Sequence, residues 1–317
     1  MYRDDFVRRI HSPGGDRRGS RSMHLDIPLL VILAVICLTG LFVLYSASGQ
    51  SLYLVKRQAV FMLFGFIAMI TVAQFPVRFW ERWAIVFYIG GLLALVAVMF
   101  YGVGAKGAQR WLDLGVTRVQ PSELMKVAVP MMVSSFLGKR YIPPSFQHMF
   151  ISLVLILLPV LLIVDQPDLG TAILVFTSGF FVLFLAGLGK RYLLSTFLLV
   201  MAAIPTLWVF VMRDYQKQRV LTLLSPEDDK LGAGWNIIQS TTAIGSGGLA
   251  GKGWMQGTQS QLNFLPESHT DFIIAVLAEE LGLIGVLLLL TLYFLILLRG
   301  LHIAAKCSTL FGRLLSG

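Results

Sequence analysis

Apolar and polar positions separate along this 317-residue chain in whole blocks, not as stripes on single helices. Apolar runs occupy about 27–46, 55–74, 83–101, 121–137, 149–164, 169–188, 192–212 and 271–298. Most approach the ~20 residues that a helix needs to cross ~30 Å of hydrocarbon. Backbone in lipid must satisfy its own hydrogen bonds, so such runs predict helices. Short links separate them, and one long polar stretch breaks the series. The pattern predicts an all-α, polytopic membrane helix bundle of eight spans. Residues 1–26 form a cytoplasmic basic arm, 27–212 hold spans 1–7, and 213–270 form an extracytoplasmic loop. Residues 271–298 are span 8, and 299–317 a cytoplasmic tail.

Composition supports lipid as the solvent. Hydrophobic residues make up 56% of the chain and charged residues 14%, against ~25% charged in a soluble domain. The net charge of +9 therefore reflects basic links and anionic lipid headgroups, not nucleic acid. The pairs Arg78/Arg82, Lys139/Arg140 and Lys190/Arg191, with Arg299, Lys306 and Arg313, fall on alternate links. Positive-inside bias then sets the N-terminus in the cytoplasm and the long loop outside. The arm carries Arg3, Arg8, Arg9, Arg17, Arg18 and Arg21 without a small-residue cleavage site, unlike a signal peptide. Cys37 and Cys307 lie too far apart in this topology for a disulfide framework.

Four polar clusters interrupt the apolar background, all on the outer half. In GAQRWLDLG (107–115), preceded by Lys106, Arg110 and Trp111 read either as an interfacial anchor or as a site. As a site, the basic residues would hold a phosphate and the ring would stack on a sugar or lipid. In QPSELMK (120–126), Pro121 suits a first helical turn. Glu123 and Lys126 share one helix face three residues apart, a pairing that in a membrane usually faces a cavity. In DQPDLGT (165–171), Asp165 and Asp168 read equally as turn and cap residues or as ligands of a divalent cation.

The long loop holds the fourth cluster. YQKQRV (215–220) puts Lys217 and Arg219 outside. IGSGGLAGKGW (244–254) is not a P-loop, because Gly253 stands where Ser or Thr is needed and no strand precedes it. It reads as a close-packed re-entrant turn carrying Lys252. LPESHTDF (265–272) ends the loop. Ser268 and Asp271 have capping-box spacing, so Asp271 reads equally as cap or catalyst. His269 is a base by residue type.

Together with LGAGWNIIQS and AVLAEELGL, these motifs resemble the SEDS family (shape, elongation, division and sporulation) over residues 24–317. The resemblance implies a ten-span fold, of which eight spans lie in this chain and the last two do not. It implies a peptidoglycan glycosyltransferase that polymerises lipid II at the outer face of the inner membrane during cell elongation. It implies a class B penicillin-binding protein as transpeptidase partner and, for elongation members, MreC, MreD and RodZ. It points to Asp271 as the catalytic residue, with Trp111 and the Glu123/Lys126 pair in support. On this reading Asp271 is the general base of an inverting transfer. A nearby apolar wall or Glu279 tunes it, and Lys106, Arg110, Lys126, Arg219 or Lys252 meets the diphosphate, with Mg²⁺ or Mn²⁺ as a candidate cofactor. Asp168 is a supporting residue. A lipid II flippase and a non-catalytic scaffold for the transpeptidase are the alternative classes.

Overall fold

The computed structural model describes residues 25–105, 108–113, 115, 118–212, 214–229, 233–261 and 268–317. Each apolar run becomes a helix. In order these are α1 (Ile27–Ala47), α2 (Leu52–Ala73), α3 (Val77–Tyr101), α4 (Pro121–Gly138), α5 (Phe146–Asp165), α6 (Leu169–Leu185), α7 (Lys190–Thr206) and α11 (Ile273–Lys306). Among the described residues, α1, α2, α3, α5 and α11 are each long and apolar enough to cross a membrane, and α6 is a shorter apolar helix. The protein is a multi-pass helical membrane bundle. Its outer faces carry exposed Leu, Ile, Phe and Val throughout, as expected where lipid replaces water.

Local chemistry sets the helix ends. Asp26 caps α1, accepting from the Leu29 amide at 3.1 Å, with proline in the first turn. Pro121 opens α4 with Glu123 in its first turn, where a carboxylate meets the positive end of the helix dipole. Pro205 near the end of α7 is followed by a π-helical turn, Leu207–Val211.

Two cores hold the bundle. The larger joins α3, α4, α5 and α6 through Leu95, Met125, Val129, Ile156 and Val175. Gly179 lets α6 approach closely there: a Cβ would lie 2.7 Å from Ile156 and 2.9 Å from Val129. The smaller joins α1, α9 (Ala233–Ser246) and α11 through Val43, Ala47, Ala243 and Val276. α12 (Leu310–Ser316) packs against α4 and α11, with Phe311 buried beside Ala84 and Met131. α2 buries no residue.

Three departures from the sequence reading stand out. The tail expected from 299 is not a tail, because α11 runs on to Lys306 and α12 follows. Arg299 reads as the end of an apolar run, but its guanidinium grips Asp26 in a two-pronged contact, Nη2 to Oδ2 at 2.9 Å and Nε to Oδ1 at 3.0 Å. The link after α3 is a small antiparallel sheet of β1 (Val103–Ala105), β2 (Ala108–Asp113) and β3 (Arg118–Val119). The long loop is mostly helical, with α8 (Asp214–Leu224), a 3-10 turn at Pro226–Asp229, α9 and α10 (Thr258–Gln261).

Candidate active site

The helices alternate in direction, so α1, α3 and α5 end where α4, α6 and α11 begin. That end carries the sheet, the long loop and the polar motifs.

The first cluster forms between β2, α4 and α6. Residues alternate faces along a strand, and Arg110 turns inward while Trp111 stays exposed. Arg110 Nη2 donates to the Pro167 carbonyl at 2.5 Å, and Nη1 lies 3.7 Å from Asp168 Oδ1. Asp168 caps α6, accepting from the Thr171 hydroxyl at 2.9 Å, and also accepts from Gln120 Nε2 at 3.2 Å. Gln120 Nε2 also donates to Ser122 Oγ at 3.0 Å. Asp168 is therefore a cap and an anchor for Arg110, and the guanidinium clips the sheet onto the bundle. Asp165 is the exposed last residue of α5. Farther along α4, Lys126 Nζ meets Glu123 Oε2 at 2.7 Å on a partly exposed face, the pairing expected from their spacing.

The second cluster is built around a break in α11. Gly282 has φ 67° and ψ −163°, which interrupts the helix. The glycine-rich turn fills the gap. The Lys252 and Gly253 amides donate to the carbonyls of Glu279 and Glu280, each at 3.0 Å. The Leu283 and Ile284 amides donate back to Gly248 and Leu249 at 3.0 and 3.2 Å. The broken helix thus recovers its backbone hydrogen bonds from a loop, as buried non-helical backbone must. Close packing makes this possible: a Cβ on Gly251 would lie 2.1 Å from the Glu280 carbonyl oxygen. Lys252 Nζ lies 2.8 Å from Glu279 Oε1, and that oxygen also accepts from the Gln259 amide at 2.9 Å. Lys252, one of five candidates for the diphosphate, and Glu279, a candidate for tuning Asp271, are paired with each other inside the glycine turn, where the buried carboxylate takes a cation and donors.

Asp271 lies on the exposed turn between Ser268 and α11. It does not cap that helix, whose N-cap is Phe272 without a side-chain hydrogen bond. Ser268 does not cap it either, since its hydroxyl donates to the Ala47 carbonyl at 3.0 Å. The capping-box alternative is thereby removed, and Asp271 stays exposed on its turn. His269 is exposed beside it. Arg219 sits on the exposed face of α8. Lys106 falls outside the described residues.

Two contacts carried no sequence signal. Ser46, on the last turn of α1, donates to Glu280 Oε1, and both side chains are buried. Trp254 stacks on Phe42, one turn earlier in α1, centroids 4.6 Å apart. Among the described residues no three His, Cys, Asp or Glu side chains gather as a metal site.

Comparison with known proteins follows the same pattern. The family model described as cell cycle protein, covering FtsW, RodA and SpoVE, matches residues 24–317. Peptidoglycan glycosyltransferase MrdB of Escherichia coli K12 is 55% identical over 295 residues, covering 93% of this chain and 80% of MrdB. A probable peptidoglycan glycosyltransferase FtsW of Geobacter metallireducens is 37% identical over 303 residues, covering 91% of this chain and 80% of its own. Among solved structures, a chain of a peptidoglycan synthase complex that coordinates polymerization and crosslinking superposes with TM-score 0.76 at 34% identity, covering 92% and 81%. The rod shape determining protein RodA of Thermus thermophilus superposes with TM-score 0.64 at 30% identity, covering 92% and 79%.

Proposed function

Because the chain belongs to the SEDS family, whose members include FtsW, RodA and SpoVE, we infer that it is a peptidoglycan glycosyltransferase that polymerises lipid II, with Asp271 as general base. Identity of 55% to a protein named for that activity supports the reaction class. The observation that carries the base is the state of Asp271: exposed, on a turn outside the helix, and excused from capping.

The chemistry needs one inversion, since the donor sugar is α-linked to diphosphate and the product is β-1,4-linked. Asp271 takes the proton from the acceptor 4-hydroxyl as that oxygen attacks the donor's anomeric carbon. A carbon–oxygen bond forms there while the bond to the diphosphate breaks, and undecaprenyl diphosphate leaves. Its growing charge needs cations. Lys126, on a partly exposed face of α4, is the best supported of these, with Arg219 and Lys106 beside it in the proposal. Arg110 supports the site by fixing the sheet that presents Trp111 to a sugar or lipid. The described residues do not build a dedicated cation cage. Mg²⁺ or Mn²⁺ would take its ligands mainly from the diphosphate, and no step is assigned to it.

The same reading covers partners and placement. Similarity to a chain of a peptidoglycan synthase complex supports a class B penicillin-binding protein as transpeptidase partner. MreC, MreD and RodZ belong to the proposal through the elongation branch of the family. The basic links support the inner membrane with the N-terminus in the cytoplasm.

The test is polymerisation of lipid II by the purified, reconstituted protein, with and without its transpeptidase. Glycan strands are expected. Folded protein that moves lipid II across vesicles without making glycan would replace this reading with a flippase. Folded protein that does neither, yet still binds the transpeptidase, would replace it with a scaffold.

A further inference from the structure

Two consecutive residues of α1 hold the segment that carries Asp271 from both sides. Ser46 donates its hydroxyl to Glu280 on the far side of Asp271. The Ala47 carbonyl accepts from the Ser268 hydroxyl, three residues before Asp271, at 3.0 Å. Between these grips lie the Asp271 turn and the first part of α11, which Gly282 severs from the rest of that helix. The severed segment is thus not aligned by a continuous helix axis. Its setting must come from its neighbours, the α1 turn and the glycine-rich loop. The loop is held to the same end of α1, with Trp254 stacked on Phe42 and Tyr45.

We propose that Ser46 and Glu280 are positioning residues for the transfer reaction: the last turn of α1 is a clamp that sets the Asp271 carboxylate against the acceptor hydroxyl. The inference rests on the reading of Asp271 as general base. Both side chains are buried, Ser46 1% and Glu280 2% exposed. Glu280 therefore acts through geometry. A hydroxyl–carboxylate bond is a strong, charge-assisted contact. A misplacement of about 1 Å at a base can cost roughly a hundredfold in rate without loss of substrate binding.

The experiment measures kcat, KM and thermal midpoint for Ser46→Ala, Ser268→Ala, Glu280→Ala and Glu280→Gln, beside Asp271→Asn. Expected is a fall in kcat of roughly tenfold to a hundredfold in Ser46→Ala and Glu280→Ala, with KM held. Glu280→Gln keeps an oxygen acceptor for Ser46 and should keep most of the turnover, a rescue that a role in charge would not produce, while an unchanged thermal midpoint in Ser46→Ala separates positioning from bulk stability. If Glu280→Ala does not fold, Ser268→Ala carries the same test from the other grip. Parental kcat in Ser46→Ala and Ser268→Ala, with Asp271→Asn inactive, overturns the clamp and leaves the base standing. Loss in Glu280→Gln equal to that in Glu280→Ala also overturns it. Turnover in Asp271→Asn removes the base assignment, and the clamp falls with it.

Discussion

Lys252 and Glu279 form an ion pair of 2.8 Å in which the carboxylate is fully buried and the ammonium 26% exposed. The pair ties the glycine-rich loop to the first part of α11. Removing the cation breaks this buried pair, which costs about 3–5 kcal/mol. Lys252→Ala should therefore lower the thermal midpoint sharply. Glu279→Gln should cost less, because it removes the buried charge as well. Lys252→Met combined with Glu279→Gln should recover part of the loss, and the non-additivity measures the coupling.

Gly282 is the second lever on the same joint. Its φ of 67° disfavours any residue with a Cβ, and an added Cβ would lie 2.3 Å from the Gly251 nitrogen. At this positive φ its ψ of −163° falls in a region that is essentially glycine's alone and costs about 1–3 kcal/mol, and the overlap adds to it. Gly282→Ala should reduce the yield of monodisperse protein in size-exclusion chromatography. Gly65→Ala, on α2 with nothing within 4 Å, should be tolerated.

Acid should loosen the opposite end of the bundle. The Arg299 hydrogen bonds, helped by the Leu29 amide, hold the Asp26 carboxyl below its ordinary value of 3.8. A lowered folded-state pKa stabilises the fold fully above the unfolded value and ceases to do so as pH falls through the folded one. The stability gap between the parent protein and Asp26→Asn should stay constant above about pH 5 and shrink on acidification below 3.8. Thermal midpoints across that range check it.

Arg110 tests the sheet. Its fork reaches both the Pro167 carbonyl and Asp168, which a single ammonium cannot reproduce. Arg110→Lys should keep the charge yet lower turnover and expose the segment around β2 to limited proteolysis. Equal protease resistance and equal turnover would contradict the clip.

The order of the helices was legible because each is an apolar block, five of them, among the described residues, long and apolar enough to cross a membrane. The Glu123–Lys126 pair was legible because helical spacing brings such residues together. Asp168 as a cap was legible in kind, but its grip on Arg110 was not, since no local rule joins β2 to α6. The same holds for Ser46 with Glu280 and Lys252 with Glu279, which meet only through the break at Gly282. The end of α11 was misread because Arg299 looks like a cytoplasmic terminator until Asp26 is set beside it. The sheet was missed because its strands are short and lie in a Gly-containing link.

The central claim is that Asp271 accepts the proton in glycan transfer. Asp271→Asn keeps size and hydrogen bonding while removing the basic carboxylate. The decisive measurement is the rate of lipid II polymerisation by this variant, normalised to folded protein that still binds lipid II. Loss of glycan synthesis with binding intact is the predicted result. Near-parental synthesis would contradict the account.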